Sequence, residues 1–260
     1  MYLTKSRFKI GISCPTKLYY QSNSQQFDNN DDVNEFMKAL AKGGLQSGEL
    51  AKLYYPGGIE IDGVSKEEQL EQTNTALKQE NVILYEAAIK VDHKFIRVDI
   101  LEKKGRVIKV IEVKSKSCDG VDETQFFNKR NKIESGERPY LEDITFQYLV
   151  CLEAFPECNV IPYLMMPDKQ IKCSVDGLYS QFVIKKQGSR DKCKLAKGIT
   201  KDKLGIQIMS AVKVKDTVEY LINDDYYREH PDFGGRSFKA VIDWFNELLV
   251  GYENNAPCYF

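Results

Sequence analysis

A chain of 260 residues can bury the core of one large α/β domain without disulfides or structural metals. Its formal net charge of −1 gives no general electrostatic signal for nucleic acid, so any basic surface is local. Seven cysteines, an odd number at scattered positions, form no disulfide framework; with no long apolar run and no signal-type start, the chain is expected to be cytoplasmic and to touch no membrane.

Taken in chain order, TKSRFKIGISCPTKLYYQS predicts two helical stretches broken around Cys14, with Pro15 opening the second. A polar loop follows. Helical spacing resumes over 33–53, interrupted by Gly43-Gly44, and stops at the turn signal of residues 56–58. Ser65 and Glu68 make a capping box, which predicts an amphipathic helix ending near Asn81. Three strands come next, at 82–91, 94–102 and 107–115, joined by Asp92-His93 and by a turn containing Gly105. They predict an antiparallel meander.

After a short helix around 122–130, the span 142–155 carries Ile144, Tyr148, Cys151, Leu152 and Phe155 on one helical stripe that packs on the sheet. The run 158–167 is short enough to be a parallel return from that crossover. Beyond Pro167 the pattern weakens, with strands expected near 178–185 and 205–214 and helices near 217–228 and 236–251. The expectation is one domain over 1–260, with a core at about 30–167 and an elaboration at 168–260.

Strand alternation puts Phe95, Arg97, Asp99 and Leu101 on one face, and Ile96, Val98 and Ile100 on the other. On the next strand Ile108, Val110, Glu112 and Lys114 share a face. A carboxylate and an ammonium at the end of an apolar strand are costly unless something compensates them. Hydrolysis of a phosphodiester needs charge neutralised on the phosphate and a water made nucleophilic, which a hard cation held by one or two carboxylates provides. Asp99 and Glu112 on adjacent strands are the candidate carboxylates. Lys114 is the candidate donor to the attacking water or the developing charge.

These residues resemble a known pattern. FIRVDILEKKGRVIKVIEVKS and DITFQYLVCLEAF resemble the PD-(D/E)XK nuclease motifs, with Asp99 as the motif Asp, Glu112-Val113-Lys114 as the E-x-K, and Gln147-Tyr148 as the QY of the RecB-like branch. SRFKIGISCPTKLYY is similar to the amino-terminal segment of RecB-like and CRISPR-associated RecB-like exonucleases, and GGLQSGELAKLYYPGG to their early Gly-rich helix. The resemblance covers roughly residues 4 to 165 and is to proteins in which such a module precedes a further domain, so this chain would be a shortened form.

The resemblance implies an α/β restriction-endonuclease-like core, a mixed central sheet flanked by helices. It implies a Mg²⁺ or Mn²⁺ site made by Asp99, Glu112 and the carbonyl of Val113. Where many members carry a helix His, this chain has Glu49, either an oxygen ligand or a solvated residue. Some members hold an iron–sulfur cluster; Cys14 fits its first position, but only Cys258 lies near the end and Cys193 is distant, so no cluster is expected.

The expected function is DNA cleavage, first as an exonuclease, with an endonuclease or a non-cleaving nucleic-acid-binding module on the same fold as the rivals. Glu86 either faces the site or pairs with a neighbouring Lys. Gln147 is a candidate partner of a DNA phosphate or of a carboxylate ligand, and Tyr148 is either a contact or core. The stretch 185–203, with eight Lys or Arg against two Asp, either engages phosphates or is a solvated loop. His93 and His230 sit in polar turns and carry no catalytic expectation.

Overall fold

The computed structural model describes residues 1–27, 35–187 and 190–253. Two short helices, α1 (Lys5–Ser13) and α2 (Pro15–Ser22), meet at Cys14, whose extended backbone breaks the helical path. Thr4 caps α1 by accepting from the N–H of Arg7, and Pro15 opens α2. Then come α3 (Glu35–Leu53), β1 (Ile59–Glu60) and α4 (Lys66–Ala76). The helix expected from residue 33 runs unbroken through Gly43 and Gly44, so those glycines do not interrupt it; the start at Val33 lies outside the described residues. Both halves of the Ser65–Glu68 capping box form, but α4 ends at Ala76, short of Asn81.

The meander is β2 (Asn81–Val91), β3 (Lys94–Lys104) and β4 (Val107–Val113), with tight turns at Asp92 and Gly105, both in the left-handed region. Helix α5 (Arg138–Ala154) opens a turn earlier than its apolar stripe suggests, because Pro139 suits a first turn. It returns the chain to β5 (Asn159–Pro167), which pairs parallel to β4. Beyond it, β6 (Phe182–Gln187) and β7 (Arg190–Leu195) form a separate antiparallel hairpin, so part of the Lys-rich stretch is strand. The segment closes with β8 (Met209–Lys213), α6 (Lys215–Asn223), α7 (Tyr226–Glu229) and α8 (Phe238–Glu253).

The result is an α/β architecture around a six-stranded mixed sheet in the order β1-β2-β3-β4-β5-β8. One apolar layer joins this sheet to α1, α5, α6 and α8, with Phe8 of α1 stacked on Phe146 of α5 at 4.9 Å and edge-on to Phe238 of α8. The other layer holds Leu50 and Ala51 of α3 and Phe182 and Cys193 of the hairpin against Ile100 and Ile111. Residues beyond 167 therefore build both the sheet edge and parts of both layers. No described helix is long and apolar enough to cross a membrane.

Strict alternation along β3 does not hold. Ile96 and Val98 pack in the same layer as Leu101, while Ile100 packs in the other. On β2, Leu84 and Ala87 likewise share a layer across the same register position. The pairs Tyr85↔Ile100 and Ala87↔Val98 bracket the change and leave Glu86 facing Asp99 between them. Glu86 there has φ +58°, a left-handed conformation that is unusual for a non-glycine residue in a strand. Both strands change faces together, so the ladder resumes in register without an inserted residue.

Candidate metal and catalytic site

The face change sits where β3 and β4 part. Their ladder stops at Ile100↔Ile111, and the N–H of Val113 is instead taken by Asp99, whose Oδ2 accepts it at 2.7 Å. The end of β4 is held from its other side by β5, with the N–H of Lys114 donating to the Met165 carbonyl. Glu112 thus projects from a strand fixed on both flanks, at the same register level as Asp99 and Glu86.

Glu112 is buried and fully engaged. Its Oε1 accepts from Lys5 Nζ at 2.6 Å and from Lys114 Nζ at 2.7 Å, and its Oε2 accepts from Gln147 Nε2 at 2.6 Å. Lys114 also donates to Asp143 Oδ2, and Lys9 reaches the same oxygen at 3.3 Å. Asp143 and Gln147 stand four residues apart on α5, on one face of the helix, and Lys5 and Lys9 are spaced likewise on α1. Leu3 fixes the start of α1 to the β2–β3 turn by accepting from the N–H of Phe95 and donating to the His93 carbonyl.

Electrostatics separate the two acids. Burial pushes the Asp99 carboxyl up to about 7, and the Glu112 charge pushes the same way; Lys5 and the Val113 N–H only partly oppose them. Burial also works against the charge on Glu112, but Lys5 and Lys114 outweigh it and hold that carboxyl well below its usual range. For Lys5 and Lys114, burial disfavours the charged form, and the surrounding carboxylates overcome it, so both ammonium groups are held charged. Asp99, Glu112 and Asp143 all act on Lys5, which places the three acids around one ammonium.

Of the residues singled out in the sequence, Asp99, Glu112, Val113, Lys114 and Gln147 come together. Glu86 lies beside them, paired with Arg97 at 3.2 Å rather than with a Lys, and its charge acts on Asp99. Glu49 does not join them. It belongs to α3 across the sheet, where the charges acting on it are those of Lys52, Glu60 and Lys194. Gln147 is wholly buried and directed at Glu112, and Tyr148 is packed in the core, so neither presents a surface to a bound strand.

Sequence reasoning missed Lys5, Lys9 and Asp143. Paired polar residues at i and i+4 in α1 and in the buried helix α5 were the signal that could have found them.

Among the described residues no three His, Cys, Asp or Glu side chains are placed to hold a metal ion. Two carboxylates on neighbouring strands, one of them raised by burial and by the other's charge, do fit a hard cation, because Mg²⁺ needs only one or two carboxylates beside water and phosphate oxygens. Asp143 Oδ1 is buried and accepts no hydrogen bond from the described residues, so this pocket leaves one carboxylate oxygen without a donor. No protein-family model, no curated protein and no solved structure matches the chain.

Proposed function

We propose that this protein is a metal-dependent phosphodiester hydrolase acting on DNA, an exonuclease built on a restriction-endonuclease-like core of the PD-(D/E)XK type. A cytoplasmic location goes with this reading. The observation that carries it is the meeting of Asp99 and Glu112 on one side of parting strands, with the Lys114 ammonium against Glu112.

Asp99 and Glu112, with the Val113 carbonyl that the family resemblance adds, would hold Mg²⁺ or Mn²⁺. When bound, such an ion supplies charge neutralisation at the phosphate and makes water nucleophilic at neutral pH. The chain's own groups do the positioning. Gln147 fixes the orientation of Glu112 through Oε2, and the Val113 N–H fixes that of Asp99. Lys114, clamped between Glu112 and Asp143, offers a hydrogen-bond donor that orients the attacking water or stabilises charge developing on the phosphate. Gln147 is therefore a positioning residue and not a contact to DNA.

The test is cleavage of linear and covalently closed circular DNA with Mg²⁺ or Mn²⁺ by the native chain, Asp99→Ala and Lys114→Ala. The native chain should degrade the linear form and spare the circle, and both variants should lose activity. Activity that survives both changes removes the proposal, and cleavage of the circle replaces exonuclease with endonuclease.

A further inference from the structure

Two lysines, not one, press on Glu112, and they press on the same oxygen. Lys5 and Lys114 lie 2.6 and 2.7 Å from Oε1. One carboxylate oxygen does not require two ammonium groups, and placing them together costs repulsion between like charges. Lys114 has a second anchor in Asp143, and its side chain is 14 % exposed. Among the described residues Lys5 hydrogen-bonds only to Glu112, and it is 29 % exposed, so it has a route to solvent. It is also the first residue of α1, where the helix dipole disfavours a cation, and the first turn of that helix carries no acidic residue of its own. Helix formation therefore does not explain a lysine at this position, whereas the carboxyl groups of Glu112 and Asp99, both acting on its ammonium, do.

Resting on the hydrolase reading, we infer that Lys5 is a displaceable counter-ion: its ammonium neutralises the Asp99–Glu112 pair while the site is free of metal and leaves Glu112 when a divalent cation binds. The flexible four-carbon stem permits this withdrawal without movement of α1, which the Phe8–Phe146 stack holds in place. Lys5 and the cation compete for the same negative charge, so the lysine lowers the affinity of the site for metal. That keeps the site from filling until the ion concentration, or the added charge of a bound phosphate, tips the balance.

The experiment measures Mn²⁺ binding by electron paramagnetic resonance in the native chain, Lys5→Met and Lys5→Arg, with folding checked by circular dichroism. Lys5→Met should bind Mn²⁺ about tenfold more tightly or better, since one competing charge has gone, and Lys5→Arg should stay near the native value. Equal or weaker binding by Lys5→Met overturns the inference and leaves the hydrolase reading standing. No binding by any of the three chains overturns both. The native chain gives a second readout that needs no variant: acylation of lysines mapped by mass spectrometry. Mn²⁺ should speed modification of Lys5 severalfold while Lys114 stays protected, and an unchanged Lys5 rate counts against displacement.

Discussion

Gln147 donates from Nε2 to Glu112 at 2.6 Å while its own Oε1 is buried with no hydrogen-bond partner among the described residues. The amide is thus held for its donor alone, and a half-satisfied side chain is tolerated inside α5 to orient one carboxylate. Gln147→Leu should cost about 1–2 kcal/mol, since a hydrogen bond to a charged group is lost but an unpaired acceptor goes with it. Gln147→Glu should cost more, because it sets a second buried carboxylate against Glu112, and its stability should recover as pH falls. Urea unfolding of the three chains at pH 5 and pH 8 checks both statements.

Asp99 gives the fold a pH dependence of definite sign. Its carboxyl is raised to about 7 by burial and by Glu112, so the folded state prefers the neutral acid. The stability this provides is complete below the ordinary carboxylate range and is lost as pH rises through about 7. Glu112 is shifted the opposite way, so its contribution is lost only at acid pH, below this window. In chelator, the native chain should therefore weaken between pH 5 and pH 8. Asp99→Asn should not, and at pH 8 it should be the more stable by about 2 kcal/mol. Adding Mg²⁺ should restore the native chain and leave the variant unmoved, as ligand linkage requires; a variant less stable than native at pH 8 without metal contradicts the electrostatic account.

Lys114 joins two buried acids. Lys114→Met should destabilise by about 3 kcal/mol, because Asp143 and Glu112 each lose a charged partner inside the protein. Adding Asp143→Asn to that variant should recover part of the loss, a coupling that a double-mutant cycle in thermal unfolding measures. DNA cleavage should fall by about a hundredfold or more in Lys114→Met and stay low in the double variant, since the missing donor is not replaced.

At Glu86 the usual ranking of two small residues should reverse. In a strand, Gly is normally about 1 kcal/mol worse than Ala. The left-handed backbone of Glu86, with φ +58°, penalises Ala and suits Gly. Glu86→Gly should therefore melt above Glu86→Ala by calorimetry. The opposite order would mean that the strand relaxes to ordinary extended geometry once the side chain is removed.

What was legible in the sequence follows the range of the interactions. The meander, the crossover helix and the acid–acid–lysine pattern depend on local alternation and helical spacing, and Asp99, Glu112 and Lys114 interrupt apolar runs visibly. The change of face at Glu86 and Asp99 was not legible, because strict two-residue alternation carries no term for one left-handed residue. Gly43 and Gly44 read as a break by propensity alone, yet α3 continues through them, since packing of Leu50 and Ala51 fixes the helix beyond. Lys5 is separated from Glu112 by 107 positions, and no short-range pattern announces such a meeting. Glu49 was placed by analogy with a helix position, and the layer in which that helix packs decided otherwise.

The fastening of α1 by the Phe8 ring against Phe146, Phe238 and Phe245, a short backbone bridge at Leu3 and two lysine contacts has a consequence for dynamics. This hairpin of helices can detach while the central strands stay paired, as a partial opening whose free energy lies below that of global unfolding. Amide hydrogens of residues 5–13 should then exchange with deuterium sooner than those of β3 and β4, and the floor of the acidic pocket would be uncovered in an otherwise native molecule.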